Sequence, residues 1–298
     1  MADNEQFSGV EVVAAASTLY TSKKEPRFEL ALEGAENWRN QNIPLVVVDS
    51  SAAFNDGATW VADALTKRGA LVLEANEPGI ATQRIQAIQA GISGGAEKVI
   101  SLEPEKTEMA KFAGEISQAL NRHAILVIGR TAAAEATLPS VQLHTERLAG
   151  WTLEQTHDFP ADALSGGRGF TAEGVEVLSQ YPASDPAFNN WIYLYRTPLE
   201  AREQGLSIGG IKVDLLHPDS MTKQEQNDPA FDRKRYNQFK LQLDYLLTRS
   251  DVDPVARPIA DAILAAMSGL TAESSNAEFE EQIDRLEDRL AVFGYRYE

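Results

Sequence analysis

The chain has 298 residues, of which 43% are hydrophobic, and this length and composition suit one large α/β domain, alone or with an appendage. It contains no cysteine, which excludes disulfides, zinc–thiolate sites and thiol nucleophiles. A formal net charge of −17 argues against general nucleic-acid binding, which needs a basic surface, so a phosphorylated ligand would need local cations, a metal ion or helix N-termini.

Residues 10–130 alternate between short apolar runs and amphipathic helical patterns. The predicted strands are 10–16, 44–49, 70–74, 98–102 and 124–129, and the predicted helices are 28–40, 59–68, 79–91 and 107–121. Alternation at this spacing indicates right-handed βαβ units and a mostly parallel sheet.

The pattern changes after residue 130. The predicted elements are, in order, helical pieces over 131–165 interrupted at Pro139, Gly150 and Pro160, a glycine-rich turn over 165–170, a helix over 171–180, a helix over 189–205, a hairpin or paired strands over 206–216 with Gly209-Gly210 as turn or bulge, and a helix over 229–249. A helical tail from Pro254 carries an apolar stripe at Phe279, Ile283, Leu286, Leu290 and Phe293. This stripe fits a helix packed on its own domain or a homodimer contact.

Two features predict the compartment. No apolar run approaches the roughly 18 residues of a membrane span. Residues 1–6 are acidic and polar, unlike a signal peptide. We therefore expect a cytoplasmic protein with no membrane span.

Several common catalytic and phosphate-binding motifs are missing from the sequence. No G-x-G-x-x-G follows the first strand and no G-x-x-x-x-G-K-[ST] occurs, which argues against a dinucleotide-binding Rossmann protein and a P-loop NTPase. The four histidines lack metalloprotease spacing, and no local signature supports Ser-His-Asp catalysis.

Carboxylates follow two of the predicted strands, at the sheet edge where open α/β proteins bind ligands. Asp49 could accept hydrogen bonds from a ribose or a base, or serve as an N-cap or turn residue. Glu103 and Glu105 flank Pro104, and positions i and i+2 of an extended segment point the same way. Both could therefore bind one divalent cation, and the alternative is the polar start of the next helix.

Two further residues have open interpretations. Arg84 lies in the first turns of a helix that follows Gly79, where it could face a phosphate or simply be an exposed helix arginine. His217 follows the apolar run over 211–216 and precedes Pro218, so it is either a ligand at a strand end or a turn histidine.

The order of these segments resembles the nucleotide-sugar domain of GT-A glycosyltransferases, especially family-2-like enzymes that glycosylate small acids such as glycerate or phosphoglycerate. The matching segments are the strand ending at Asp49, the run Asn76-Glu-Pro-Gly79 with Arg84, and the acidic pair. The resemblance implies the α/β GT-A fold, a mostly parallel sheet with flanking helices and here a helical C-terminal extension. It also implies that Asp49 contacts the base or ribose of a UDP- or GDP-linked sugar and that Arg84 contacts the diphosphate.

The acceptor side resembles the same enzymes. The segment from Asp162 to Phe170 matches a D-x-x-S-G-x-R-x-F pattern, which implies that Ser165, Gly166 and Arg168 shape a pocket for a small anionic acceptor. A basic segment with Lys234 and Arg235 would lie near the phosphates. Glu103, Glu105 and His217 would hold Mg²⁺ or Mn²⁺ on the diphosphate.

The sequence departs from this family at two points. The acidic pair is Glu-Pro-Glu rather than Asp-x-Asp, and no Glu-Asp pair precedes the acceptor helix, where Tyr195-Arg-Thr-Pro198 stands instead. No general base can be named, which favours a retaining, metal-assisted glycosyltransferase or a non-catalytic nucleotide-sugar-binding or regulatory module. A nucleotidyltransferase is disfavoured because Ser22-Lys23-Lys24 lacks the glycines of its loop.

The same resemblance predicts the division of the chain. We expect residues 1–130 to bind the nucleotide sugar, residues 131–250 to bind the acceptor, and residues 251–298 to form the helical extension.

Overall fold

The computed structural model describes residues 6–57, 59–159, 162, 164–180, 190–249, 251–271 and 273–296. Within these residues one sheet contains the strands β1 (Val12–Thr18), β2 (Leu45–Asp49), β3 (Leu71–Glu74), β4 (Lys98–Leu102), β5 (Ile125–Arg130), β6 (Gly167–Thr171) and β7 (Ile208–Val213). Its strand order is β3-β2-β1-β4-β6-β5-β7. The sequence features predicted at residues 1–5, at Pro160 and at Asn189 lie outside the described residues.

Helices cover both faces of the sheet. They are α1 (Pro26–Asn40), α2 (Trp60–Lys67), α3 (Ile80–Ser93), α4 (Ala113–Leu120), α5 (Ala132–Glu135), α6 (Ser140–His157), α7 (Ala172–Leu178), α8 (Tyr193–Glu203), α9 (Asp219–Glu225), α10 (Pro229–Thr248), α11 (Arg257–Met267) and α12 (Asn276–Leu290). Turns of 3-10 helix occupy Ser51–Phe54, Thr107–Phe112 and Ala291–Phe293. No helix in this described part is long and apolar enough to cross a membrane.

The strand directions bring many loop residues to one edge of the sheet. β1 pairs in parallel with β2 and β4, and β7 pairs in parallel with β5. β6 runs antiparallel between β4 and β5. The carboxyl ends of the parallel strands and the amino end of β6 therefore meet at the same edge, which is the ligand-binding edge of an open α/β sheet.

The core lies on both sides of this sheet because neighbouring strand residues point to opposite faces. Val13 and Ala15 belong to a buried cluster that also takes side chains from α3, α6 and α10–α12. Ala14 and Ala16 belong to a second cluster with side chains from α1, α2 and α4. The result is a sheet with a helical layer on each face.

The amino half confirms the predicted alternation of strands and helices within a few residues at each boundary. The helix predicted over 107–121 begins as 3-10 turns, and α4 proper starts at Ala113. The mostly parallel sheet with flanking helices is confirmed.

Three predictions for the second half are wrong. Gly150 does not interrupt a helix, because α6 runs through it without a break. The segment over 165–170 is mostly strand β6, and its Gly169 lets Leu120 of α4 approach, since a Cβ there would lie 2.9 Å from Leu120 Cδ1. The segment over 206–216 is the single strand β7, and a Cβ at Gly209 would collide with the His123 ring. Gly169 and Gly209 thus permit close packing and do not mark turns.

The apolar stripe of the tail packs on the same chain. Phe279, Ile283, Leu286 and Leu290 are buried, and α12 packs against α10 and α11. Phe293, the last residue of the stripe, is 41% exposed. The homodimer contact stays a prediction. So does the division at residues 130 and 250, although β6 and β7 belong to the same sheet as β1–β5.

Candidate functional site

The residues predicted to form the site come from separate elements that reach the ligand-binding edge. Asp49 ends β2, Glu103 follows β4, Ser165 and Gly166 precede β6, and His217 lies beyond β7. Arg84 comes from α3, and Lys234 and Arg235 come from α10.

Asp49 organises the two loops that follow β1 and β2. Its Oδ1 accepts hydrogen bonds from Thr18 Oγ1 at 2.8 Å, from Ser51 N at 3.1 Å and from Ser51 Oγ at 2.6 Å. Ser51 Oγ in turn accepts a bond from the Tyr20 amide at 2.8 Å. The carboxylate thus fixes the loop conformations through one oxygen, which is the turn role that the sequence left open.

The acidic pair lies in a β-turn and not on an extended segment as predicted. Lys106 N donates to Glu103 O at 3.0 Å, which closes a four-residue turn with Pro104 at its second position, where proline is favoured. The turn brings the Lys106 side chain back to the Glu103 carboxylate, at 3.2 Å from Nζ to Oε2. The lysine that follows the pair is therefore part of the site.

Glu103 is held as an anion by basic neighbours. Besides Lys106, Arg84 lies 3.6 Å from Glu103 Oε1 through NH2. Burial would raise the pKa of the Glu103 carboxyl, but Lys106, Arg84 and Arg235 together hold it far below its usual range. Glu103 is therefore ionised, with a basic group near each of its oxygens.

The pKa of the Glu105 carboxyl is shifted in the opposite direction. Burial and the nearby charge of Glu103 raise the pKa of its carboxyl, and Arg27, at 3.8 Å, only partly offsets them. The pKa values of the two carboxyls that flank Pro104 are thus shifted in opposite directions, because the basic side chains interact more strongly with Glu103.

Arg84 connects three parts of the site. α3 starts after Gly79, whose φ of 118° few other residues adopt. Arg84 therefore lies in the second turn of α3, near the sheet edge. The Arg84 guanidinium donates to Gly166 O at 3.3 Å and to Tyr193 Oη at 2.9 Å, and it stacks on Trp191. The alternative of an exposed helix arginine is wrong, because Arg84 is 2% exposed.

The loop before β6 is fixed by backbone and hydroxyl bonds. Ser165 Oγ donates to Ile128 O, and Lys106 Nζ donates to Ser165 O. Gly166 has a φ of 78°, and a Cβ there would lie 3.4 Å from Glu103 Cδ. Glu103 thus rests on Gly166, which brings these two predicted site residues into contact.

Arg168 does not face the cleft. Its guanidinium donates to Leu194 O at 2.8 and 3.2 Å and to Gly167 O at 2.7 Å. Burial lowers the pKa of Arg168 to about 10, and the side chain stays charged at neutral pH. Arg168 lies within β6, and its hydrogen bonds to Leu194 O link this strand to α8.

The two basic residues of α10 that were predicted to join the site differ: Lys234 is exposed, and Arg235 is held by neighbouring side chains. Arg235 donates to Gln142 Oε1 at 2.8 Å and stacks on Phe231. Lys234 is exposed, yet protein around it and the charge of Arg235 lower the pKa of its amine. Lys234 and Arg235 both interact with the Glu103 charge, so both lie near that carboxylate.

The predicted metal ligands do not form one group. His217 Nε2 lies 3.1 Å from Glu225 Oε2, and the His217 amide donates to Thr137 Oγ1 at 2.8 Å. Among the described residues, no three histidine or carboxylate side chains are grouped so that they could hold a metal ion. Since Glu103 already has a cation on each oxygen, this donor set does not fit a preformed divalent site.

A second charged group lies beside the first. Arg130, at the end of β5, pairs with Glu146 of α6 and, through Nε at 2.7 Å, with Asp162. Burial would lower the pKa of Arg130, but both carboxylates raise it. A cavity of about 330 Å³ adjoins this group, and carboxylates outnumber basic groups in its lining, which disfavours an anionic ligand there.

Sequence reasoning missed two members of the site. Lys106 follows the acidic pair at i+3, a spacing that a turn or a first helical turn brings together, so it could have been proposed from the sequence. Tyr193, the partner of Arg84, lies 109 positions away, and no local signal joins the two.

No family model matches this chain, and no curated protein matches it. Among solved structures, a mannosyltransferase from Pyrobaculum calidifontis in complex with GDP-Man and Mn²⁺ is similar over 99% of this chain and 79% of its own, with 13% identity and a TM-score of 0.51. Two others overlay less well. A glucosyl-3-phosphoglycerate synthase from Mycobacterium tuberculosis in complex with Mn²⁺, UDP and phosphoglyceric acid covers 81% and 80% with 13% identity and a TM-score of 0.46. A 4-diphosphocytidyl-2C-methyl-D-erythritol synthase from Anaerococcus prevotii covers 71% and 94% with 10% identity and a TM-score of 0.44.

The similarity to the mannosyltransferase concerns the fold, because so low an identity carries no residue roles. It extends over nearly the whole chain. The chain therefore has the GT-A fold, as the sequence resemblance predicted.

Proposed function

We propose that this chain is a glycosyltransferase that moves a sugar from a UDP- or GDP-linked donor to a small anionic acceptor. One observation carries the proposal: basic side chains surround Glu103 at the ligand-binding edge of a GT-A sheet, in a chain whose net charge is −17. Local positive charge in an acidic protein favours an anionic ligand. The mannosyltransferase structure, which holds GDP-Man, supports a nucleotide-sugar donor.

The donor would lie along the carboxyl ends of β1, β2 and β4. The loop that Asp49 fixes would meet the base or ribose, with the remaining Asp49 oxygen directed at the ligand. Arg84, Lys234 and Arg235 would contact the diphosphate, and charge-assisted hydrogen bonds to phosphate are about twice as strong as neutral ones.

The transfer would break the bond between the anomeric carbon of the sugar and the diphosphate oxygen, which keeps the electron pair. The acceptor hydroxyl oxygen would form the new bond to that carbon, and its proton would pass to the departing diphosphate. This retaining course needs no protein base. Basic side chains around the diphosphate would stabilise its developing charge.

The acceptor would lie beside the loop over 164–166. Gly166 O and Ser165 O are already occupied by Arg84 and Lys106, so this loop moves with the diphosphate-binding residues. Arg168 would act as a positioning residue through Leu194, because it does not reach the cleft. No step of this scheme passes through a metal ion.

The function is tested by incubating the protein with UDP- and GDP-sugars and a panel of small acids that includes glycerate and 3-phosphoglycerate. Mass spectrometry should detect one glycosylated acid, together with one equivalent of free nucleoside diphosphate. Nucleotide-sugar binding by calorimetry with no product across the panel would select the alternative, a non-catalytic binding or regulatory module. Absence of both binding and product would contradict the proposal.

A further inference from the structure

The two oxygens of Glu103 are already engaged by cations. Oε1 lies 3.6 Å from Arg84 NH2, and Oε2 lies 3.2 Å from Lys106 Nζ. A divalent cation at this carboxylate would lie close to a buried arginine and to the lysine of the same turn, and both would repel it. Metal sites are instead built where carboxylate and histidine donors converge without competing cations.

The other two candidate donors do not compensate for this. Glu105 is paired with Arg27 at 3.8 Å, and His217 is paired with Glu225 at 3.1 Å. A metal held by Glu105 alone would depend almost entirely on ligand oxygens. The described side chains thus offer cations to this cleft more readily than they offer metal ligands.

Two of the basic side chains also carry one nitrogen that lacks a hydrogen-bond partner among the described residues. Nε of Arg84 and Nε of Arg235 are buried donors with no hydrogen-bond partner within the described chain. A buried donor without an acceptor is unfavourable, so an acceptor oxygen from a ligand would be favoured there. Lys234 is exposed and can reach a ligand without leaving a partner in the protein.

Charge balance points to one ligand class. Arg84, Lys106, Lys234 and Arg235 share Glu103 as their common carboxylate, although Arg235 also lies 3.6 Å from Glu146. A diphosphate carries two or three negative charges and several acceptor oxygens, which suits this excess of donors.

We propose that Lys106, Lys234, Arg84 and Arg235 neutralise the diphosphate of the nucleotide in place of a divalent cation, with Lys106 exchanging Glu103 for a phosphate oxygen when the ligand binds. Glu103 is then an internal counter-anion that holds the cations apart until the ligand arrives. This inference rests on the proposed function, because it concerns how the same donor is bound.

The test is calorimetric titration of the full chain with UDP and GDP, once with 5 mM EDTA and once with 5 mM MnCl₂ (concentrations of about this order, far above the protein). The affinity for the preferred nucleotide should agree within about threefold between the two conditions. A loss of about tenfold or more in EDTA would overturn the inference and leave the proposed function standing. Absence of binding in both conditions would overturn both.

Two variants separate the cation role from a metal-ligand role. Lys106→Met should weaken binding by about tenfold or more, whereas the matched control Lys111→Met, on the exposed part of the same segment, should bind like the unchanged protein. Equal affinities for these two variants would contradict the inference.

Glu103→Gln gives a test of opposite sign. It releases Lys106 and Arg84 from their carboxylate, so nucleotide affinity in EDTA should rise by about threefold or more, with Glu108→Gln as the matched control. A metal ligand would behave in the reverse way, and a fall in affinity confined to MnCl₂ would overturn the inference. Thermal unfolding without nucleotide, measured for each variant, shows whether it is folded.

Discussion

Two charged groups lie side by side at the same sheet edge, and they differ in how buried and how closely paired their side chains are. In the group around Arg130, the arginine and its partners Glu146 and Asp162 have side chains less than 10% exposed. In the group around Glu103, the carboxylate is 27% exposed and its ion-pair distances are 3.2 and 3.6 Å. Complete pairing of buried side chains suits a structural role, whereas looser pairing around a partly exposed carboxylate leaves charge for a ligand.

The largest expected effect is on the group around Arg130. Arg130→Met would leave Glu146 and Asp162 buried without their common cation, so the free energy of unfolding should fall by about 3–5 kcal/mol. Urea unfolding followed by circular dichroism measures this loss. The matched control is Arg147→Met, whose ion pair with Glu135 is more exposed and should contribute about 1 kcal/mol or less. Similar small losses for both variants would remove the distinction between the two groups.

A smaller effect on stability is expected from replacing Gly166, which lies beside Glu103. Gly166→Ala must place alanine at a φ of 78°, which costs about 1–2 kcal/mol, and the new methyl would touch the Glu103 carboxyl. The matched control Gly150→Ala lies in the interior of α6 with open space around it and should raise stability by up to about 1 kcal/mol. The two substitutions should therefore shift the unfolding midpoint in opposite directions. A shift of the same sign would show that backbone conformation does not hold this loop.

The smallest expected effect is on the dependence of folding stability on pH. Burial would raise the pKa of the Asp162 carboxyl, but Arg130 holds it below its usual range, so the folded chain binds fewer protons than the unfolded chain as the pH falls. The resulting stability is present above about pH 4 and is lost as the pH falls towards the lowered pKa. Asp162→Asn should reduce the slope of stability against pH in this window by at most about 1.4 kcal/mol per pH unit. An unchanged slope in urea titrations at stepped pH would contradict this coupling.

Local signals predicted the secondary structure of the amino half of the molecule well. The strand before Glu103 and the helix bearing Arg84 are continuous segments whose periodicity is visible in the sequence, and strand ends in a parallel sheet share an edge. These two facts are enough to bring Asp49, Glu103 and Arg84 to one region. The exact pairing of Glu103 required the turn that returns Lys106, which the acidic pair alone did not suggest.

Non-local pairing explains the failures in the second half. Whether Gly167–Thr171 is a turn or a strand depends on β4 and β5, which lie far away in the chain and enclose it. Once it is a strand, Arg168 is buried and donates to Leu194 O. His217 likewise meets Glu225 because α9 folds back, a geometry that spacing does not reveal.

The most direct test of the account is a crystal structure of the full chain with GDP or UDP bound. We predict that phosphate oxygens lie within hydrogen-bonding distance of Lys106 Nζ and the Arg235 guanidinium, with the Lys106–Glu103 contact lengthened beyond its present 3.2 Å. A diphosphate bound elsewhere, or a metal ion on Glu103 and Glu105 that carries the phosphates while Lys106 keeps its present partner, would contradict it.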